Sequence, residues 1–153
     1  MATIKAFPAL RYNLEIIKEI SSVVTPPYDV ISKDQQSQFY RSDTHNFIRI
    51  ILGKEKTGDD KQNNKYTRAK ACLDNWIGEG VFIQDNAPAI YIYQQLFVSE
   101  GKKVSRIGFI ALLKLEPSGK GVVFPHEKTF CKPKKDRLSL LKSTRANLSP
   151  IFG

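Results

Sequence analysis

The sequence predicts an α+β fold: a mixed, largely antiparallel sheet with a central hairpin and about three to four helices. Two β-rich runs, 89–98 (AIYIYQQLFV) and 104–116 (VSRIGFIALLKLE), are separated only by the polar segment SEGKK, which makes a hairpin of them. Upstream, Tyr66, Ala69, Leu73, Trp76 and Ile77 recur at the spacing of one helical face. No internal repeat or heptad pattern appears, so helices and strands simply mix. With 153 residues, 17.4 kDa and 41% hydrophobic content, the chain is expected to form a single domain, 1–153, with a real core.

In chain order, residues 4–10 read as a short strand, followed by LEIIKEI, an amphipathic turn or short helix with Leu14, Ile17 and Ile20 on one side. Pro26 and Pro27 each lack a backbone donor and hold Thr25 and Pro26 extended, so a stiff loop presents Tyr28 and Asp29, either for binding or with Tyr28 packed on the core. Ser32 and Gln35 fit a capping box that opens a helix from Lys33 to about Arg41. FIRIILG is β-branched and reads as a strand on which Arg49 alternates with Ile48 and Ile50. On a central strand Arg49 enters a cleft or meets a carboxylate; on a peripheral one it faces water.

Residues 53–64, GKEKTGDDKQNN, have no apolar periodicity and read as a mobile surface loop. Their Gly-Lys pair is no P-loop, which needs GxxxxGK followed by Ser or Thr. A helix over 65–79 follows, ending where Gly80 suits a left-handed cap. The hairpin comes next, its second strand apolar enough to be covered on both faces and placed at the centre of the sheet. A last strand, VVF, stops at Pro125. Beyond it a helix runs to about Asn147, with Leu138, Leu141 and Leu148 expected to pin it to the sheet.

Composition narrows the function classes. No apolar run approaches the roughly 18 residues that cross a bilayer, and the N-terminus lacks a signal peptide's apolar core, so a cytoplasmic protein with no membrane role is expected. Cys72 and Cys131 form no CxxC pair, so buried or free thiols are expected over a disulfide, and no metal site. A net charge of +9 and a pI near 9.6 suit anionic partners. From Lys120 to the end, eight Lys or Arg face two acids, Glu127 and Asp136, so this segment carries +6 of the +9.

That segment also concentrates the candidate chemistry. His126, Glu127, Lys128 and Thr129 follow a strand end, where a carboxylate beside an imidazole and an ammonium can act as general base on a hydroxyl. The competing reading is a solvated charged turn. Lys132, Lys134, Lys135 and Arg137 fall at a helix start, where cations oppose the macrodipole by about 0.3–1 kcal/mol each. A phosphate held between Lys134, Arg137 and the free amides would reverse that sign; the alternative is lysines fanned into water.

TPPYDVIS, HNFIRIILGK, ACLDNWIGEGVFIQDNAPAIYIYQQ, RIGFIALLKLE, PHEKT and KKDRLSLLKSTRANLSPIF resemble, in order, the N-terminal half of the bacterial and archaeal family called domain of unknown function 1015. The likeness spans nearly the whole chain. It implies a longer parent protein with a later segment of the type DGHHRYE, similar to ParB- and sulfiredoxin-like free-serine kinases. On that likeness Glu127 is the base on a serine-type hydroxyl, His126 and Thr129 neighbour the substrate, and Lys134 and Arg137 bind phosphate. The implied reaction is phosphoryl transfer to a small hydroxylated acceptor, with magnesium and a nucleotide or pyrophosphate as donor, and with this chain alone inactive. Tyr28, Asp29, Arg49 and Lys128 complete the expected ligand set. Ile151 and Phe152 leave an apolar end in want of a partner surface, as lost sequence or a homodimer would supply. The competing classes are a nucleic-acid-binding module, which the absence of aromatics among the clustered cations disfavours, and an interaction domain without chemistry.

Overall fold

The computed structural model describes residues 1–117, 121–124 and 131–150. Its elements are β1 (Ile4–Lys5), β2 (Leu10–Tyr12), α1 (Ile20–Val23), a 3-10 turn (Tyr28–Val30), α2 (Lys33–Ser42), α3 (Ile48–Ile51), α4 (Lys65–Gly78), β3 (Phe82–Gln84), β4 (Tyr91–Ser99), β5 (Lys102–Ile110), β6 (Leu112–Leu113) and α5 (Cys131–Thr144). The class is α+β, as expected. The sheet is divided: β1 pairs with β6, β2 with β3 and β4 with β5, each as a two-stranded ribbon. No helix among the described residues is long and apolar enough to cross a membrane.

Contacts divide the chain into two compact units. The first comprises Met1–Leu10 and Gln84–Lys128. Its main feature is the β4–β5 hairpin, nine antiparallel pairs from Tyr91↔Ile110 to Ser99↔Lys102. Glu100 and Gly101 join the strands with φ of 49° and 75°, the two positive values of a type I′ turn whose twist matches the ribbon. At the other end the Tyr91 hydroxyl donates to Asp85 Oδ2 at 2.7 Å and accepts from the Ala9 amide at 2.7 Å, tying the strand to the chain entering β2.

The hairpin exists as expected, but its second strand is not covered on both faces: Ile107 is 70% and Phe109 59% exposed. It pairs with β4 alone, so it is not the centre of a larger sheet. In place of the expected strand over Val122–Phe124, Val122 and Val123 form bends and Phe124 is irregular.

The second unit comprises Arg11–Ile83 and Thr129–Gly153. Its core gathers Ile17, Val23, Ile50, Ile51, Ala69, Leu73, Trp76, Val81, Phe82 and Leu140. Phe82 is the aromatic hub, with ring centroids 4.5 Å from Tyr12, 5.5 Å from Trp76 and 6.5 Å from Phe47. The capping box of α2 is present as read: the Gln35 amide donates to Ser32 Oγ, and the Ser32 amide to Gln35 Oε1. Helix α4 begins on Asn64, whose Oδ1 accepts from Tyr66 and Thr67 amides. It closes at Gly80, whose φ of 74° is the left-handed turn glycine permits.

FIRIILG is a helical turn, α3, and not a strand. Asn46, fully buried, donates to the Ser22 carbonyl at 2.7 Å and accepts from the Ile48 amide at 2.9 Å, which starts a turn at this point. The Phe47 amide is fixed to the Val23 carbonyl at 2.7 Å. Ile48, Ile50 and Ile51 are all at most 4% exposed, so the run is apolar because it is enclosed, not because it alternates. A short continuous apolar run suits either state by pattern, and tertiary contacts decide it.

Residues 53–64 form a surface loop of turns and bends, as expected, and internal hydrogen bonds hold parts of it. Arg68 grips Asp59 through two guanidinium nitrogens at 2.7 and 2.9 Å, and Asp60 Oδ1 accepts from the Gln62 and Asn63 amides, each at 2.7 Å.

Helix α5 packs on α4, not on a sheet, and turns a different face inward than its leucine spacing suggests. Leu140 (5% exposed) and Thr144 (6%) are buried, while Leu138 and Leu141 are 45% and 43% exposed. Leu148 does pack against the core, as expected.

Candidate functional site

His126, Glu127, Lys128 and Thr129 lie outside the described residues. Of the remaining candidates, the structure brings Tyr28 and Arg137 together. Tyr28 sits in the 3-10 turn that follows Pro26-Pro27, and the Arg137 guanidinium carbon lies 3.9 Å from the centre of its ring. Asp29 is exposed in the same turn.

Arg137 is held from three sides. Its Nη1 donates to the Ile51 carbonyl at 2.9 Å, its Nε donates to Asp136 Oδ2 at 3.0 Å, and Tyr28 covers its face. Asp136 also accepts from Lys65 Nζ at 2.9 Å and from the Tyr66 hydroxyl at 2.8 Å, both on Oδ1. Lys65 reaches Glu55 Oε1 at 3.0 Å as well. In the sequence Asp136 is only one of two acids in a basic segment, and no local pattern links it to Lys65 or Tyr66. The legible signal was that Asp136 is the one acid within 131–150.

The electrostatics follow from this geometry. Partial burial by itself would raise the Asp136 carboxyl, but the hydrogen bonds from Lys65, Arg137 and Tyr66 outweigh it and bring the pKa down to about 2. Lys65 loses solvation, yet Asp136 and Glu55 more than compensate and raise it further above the usual lysine range. Burial, then the bond to Asp136, raises the Tyr66 phenol. All three keep their neutral-pH protonation states, so the group contains no proton carrier for pH 7. It is a charge-balanced clamp joining α3, α4 and α5. A crevice of about 10 Å³ beside it, lined by Gly53, Lys65, Tyr66, Arg137 and Leu140 among others, has room for about one water molecule.

Arg49 serves a second internal clamp. Because α3 is helical, its guanidinium turns onto the Tyr40 ring at 4.6 Å and donates to the Tyr40 carbonyl at 2.7 Å. Among the described residues it meets no carboxylate. Lys134 is exposed on α5. Cys72 is half-buried, and burial pushes its thiol to about 11 despite the nearby Arg49, which makes it a poor nucleophile. Among the described residues no three His, Cys, Asp or Glu are placed to hold a metal ion.

The family model described as protein of unknown function (DUF1015) matches residues 4–153, almost the full chain. The chain belongs to this family. No curated protein and no solved structure matches it. The DUF1015 assignment agrees with the ordered series of segments from TPPYDVIS to the α5 region, and the family's description carries no activity with it.

Proposed function

We propose that the chain is the N-terminal part of a two-part phosphotransferase resembling free-serine kinases, and that its hairpin receives the part that completes the site. The observation that carries this reading is the bare face of β4–β5. The register puts Ile92, Leu96 and Val98 on the same side as Ile107 and Phe109, and all five are 59–76% exposed. Gln94 and Ser105 share that side, bonded to each other at 3.2 Å. A two-stranded ribbon is marginal alone in water, and an apolar patch of this extent marks an interface. The five side chains offer on the order of 600 Å² to a partner, close to one side of a standard interface.

The chemical half of the reading is supported by the Pro125-His126-Glu127 likeness. Glu127 takes the proton of the acceptor hydroxyl as its oxygen bonds to phosphorus and the donor's P–O bond breaks, releasing a nucleoside diphosphate or phosphate, with His126 and Thr129 assigned to the acceptor. Lys128 and the exposed Lys134 offset phosphate charge, while Tyr28 and Arg137 frame the base of α5. Among the described residues no three His, Cys, Asp or Glu are placed to hold the magnesium that a nucleotide or pyrophosphate donor brings.

The test uses the present chain co-expressed with the C-terminal region of a longer family member. A stable complex is expected, and Leu96→Lys with Ile107→Lys should weaken it by roughly tenfold or more. An unchanged complex rejects the hairpin as the docking face. In the longer protein, Gln at the position matching Glu127 should abolish transfer to small hydroxylated acceptors; equal activity rejects Glu127 as base. A second reading, an interaction domain without chemistry, is favoured by the fact that Arg49 and Arg137 both use their guanidinium groups internally. It predicts complex formation with no transfer by either form.

A further inference from the structure

Helix α5 presents an outer face that the core does not use and on which Lys134 is the one residue shared with the proposed reaction. With Asp136, Arg137, Leu140, Ser143 and Thr144 turned inward, helical spacing leaves Lys134, Lys135, Leu138, Leu141 and Lys142 on one continuous arc, which Arg145, just past the helix end with a φ of 55°, extends. All six are exposed, the two leucines by 45% and 43%. The arc has four cations and no acid, because Asp136 is bound to Lys65, Tyr66 and Arg137 on the opposite side. The inward face is fixed by the Ser143 hydroxyl bonding to the Tyr66 carbonyl at 2.9 Å and by buried Leu140 and Thr144, so the outer arc is equally fixed.

From this we infer that the outer face of α5 docks an acidic amphipathic segment of a partner protein. The occupant's chemistry follows from the arrangement. Leu138 and Leu141 are three residues apart, one turn of helix, and the cations flank them above, below and to one side. A complementary peptide carries two or three apolar residues at helical spacing bordered by Asp or Glu. Nucleic acid is a poorer match, since it would set two leucines against phosphates and finds no aromatic on the arc to stack with a base. A membrane surface is also poorer, because two half-exposed leucines offer little insertion for a folded helix. The contact is small, so affinity rests on charge as well as burial and falls as salt rises.

The experiment is fluorescence anisotropy of the intact chain with a labelled peptide of about five helical turns carrying a leucine stripe bordered by glutamate. Controls are polyglutamate of equal charge, a DNA duplex, and vesicles containing about 30% phosphatidylserine. We expect a Kd of tens of micromolar for the peptide, weakening several-fold between about 50 and 300 mM salt. Lys134→Glu with Lys142→Glu, and separately Leu138→Gln with Leu141→Gln, should each lower affinity roughly tenfold while leaving Tm unchanged, since all four side chains are exposed. Polyglutamate should bind at least roughly tenfold more weakly than the peptide. The inference is overturned if the leucine variant binds like wild type, or if duplex or vesicles bind more tightly than the peptide.

Discussion

Asp136 illustrates how one side chain decides what its neighbours can do. Read from the sequence, Arg137 and its basic surroundings suggest a phosphate site, an inference from the charge count at an expected helix start and from the family likeness. The count could not show that the single acid of the segment points inward, onto Lys65 and Tyr66, and engages Arg137 on the way. The consequence is a pH-dependent contribution to stability. The folded pKa of Asp136, about 2, lies below its ordinary value of 3.8, so the unfolded chain takes up the proton first. The stabilisation is therefore complete above about pH 4 and is lost as pH falls towards 2, amounting to about 2 kcal/mol. Asp136→Asn keeps the size but leaves Lys65 and Arg137 without their shared carboxylate. Its urea midpoint at pH 7 should correspond to a loss of about 2 kcal/mol, followed by Trp76 fluorescence. The gap to wild type should shrink between pH 4 and pH 2; a gap independent of pH would mean that shape, not charge, is what Asp136 contributes.

Helices that announce themselves through caps were legible, and those defined by enclosure were not. Ser32 with Gln35 and the stripe from Tyr66 to Trp76 located α2 and α4 to within about a residue, because capping and amphipathic spacing are local properties. The α3 segment looked like a strand because its isoleucines are β-branched; only the buried side chain of Asn46 and the Val23 carbonyl make a turn of it. For α5 the existence was legible and the rotation was not. Three leucines at 138, 140 and 141 leave the inward face ambiguous, and Arg137 with Asp136 settles it through bonds to α3 and α4 that no local pattern encodes. Single truncations separate the two orientations. Leu140→Ala removes a side chain that is 5% exposed and should cost about 2–4 kcal/mol, whereas Leu138→Ala, at 45% exposure, should cost under about 0.5 kcal/mol. Thermal denaturation of the two variants gives the answer directly, and comparable losses would contradict the rotation described.

The two units differ in how their apolar residues are used. The Arg11–Ile83 and Thr129–Gly153 unit encloses Val23, Ile48, Ile50 and Ala69 to 1% exposure or less, while in the other unit the longest ladder leaves Ile92, Leu96, Val98, Ile107 and Phe109 exposed. The two β-rich runs, 89–98 and 104–116, with SEGKK between them predicted the ladder and its turn, yet they could not say whether an apolar face meets protein or water, since that depends on what lies outside the ribbon. Hydrogen exchange tests the consequence. Amides of β4 and β5 have a single partner strand and little overlying mass, so they should exchange by local opening well before those of α4 around Ala69, Leu73 and Trp76, which open only with the core. Binding of the C-terminal region of a longer family member should then slow Ile92–Val98 and Val104–Phe109 by roughly tenfold or more while leaving the α4 amides unchanged. Protection of α4 in place of the hairpin would move the docking surface to the other unit. If neither segment responds although a complex forms, the bare face of β4–β5 is not what that partner covers.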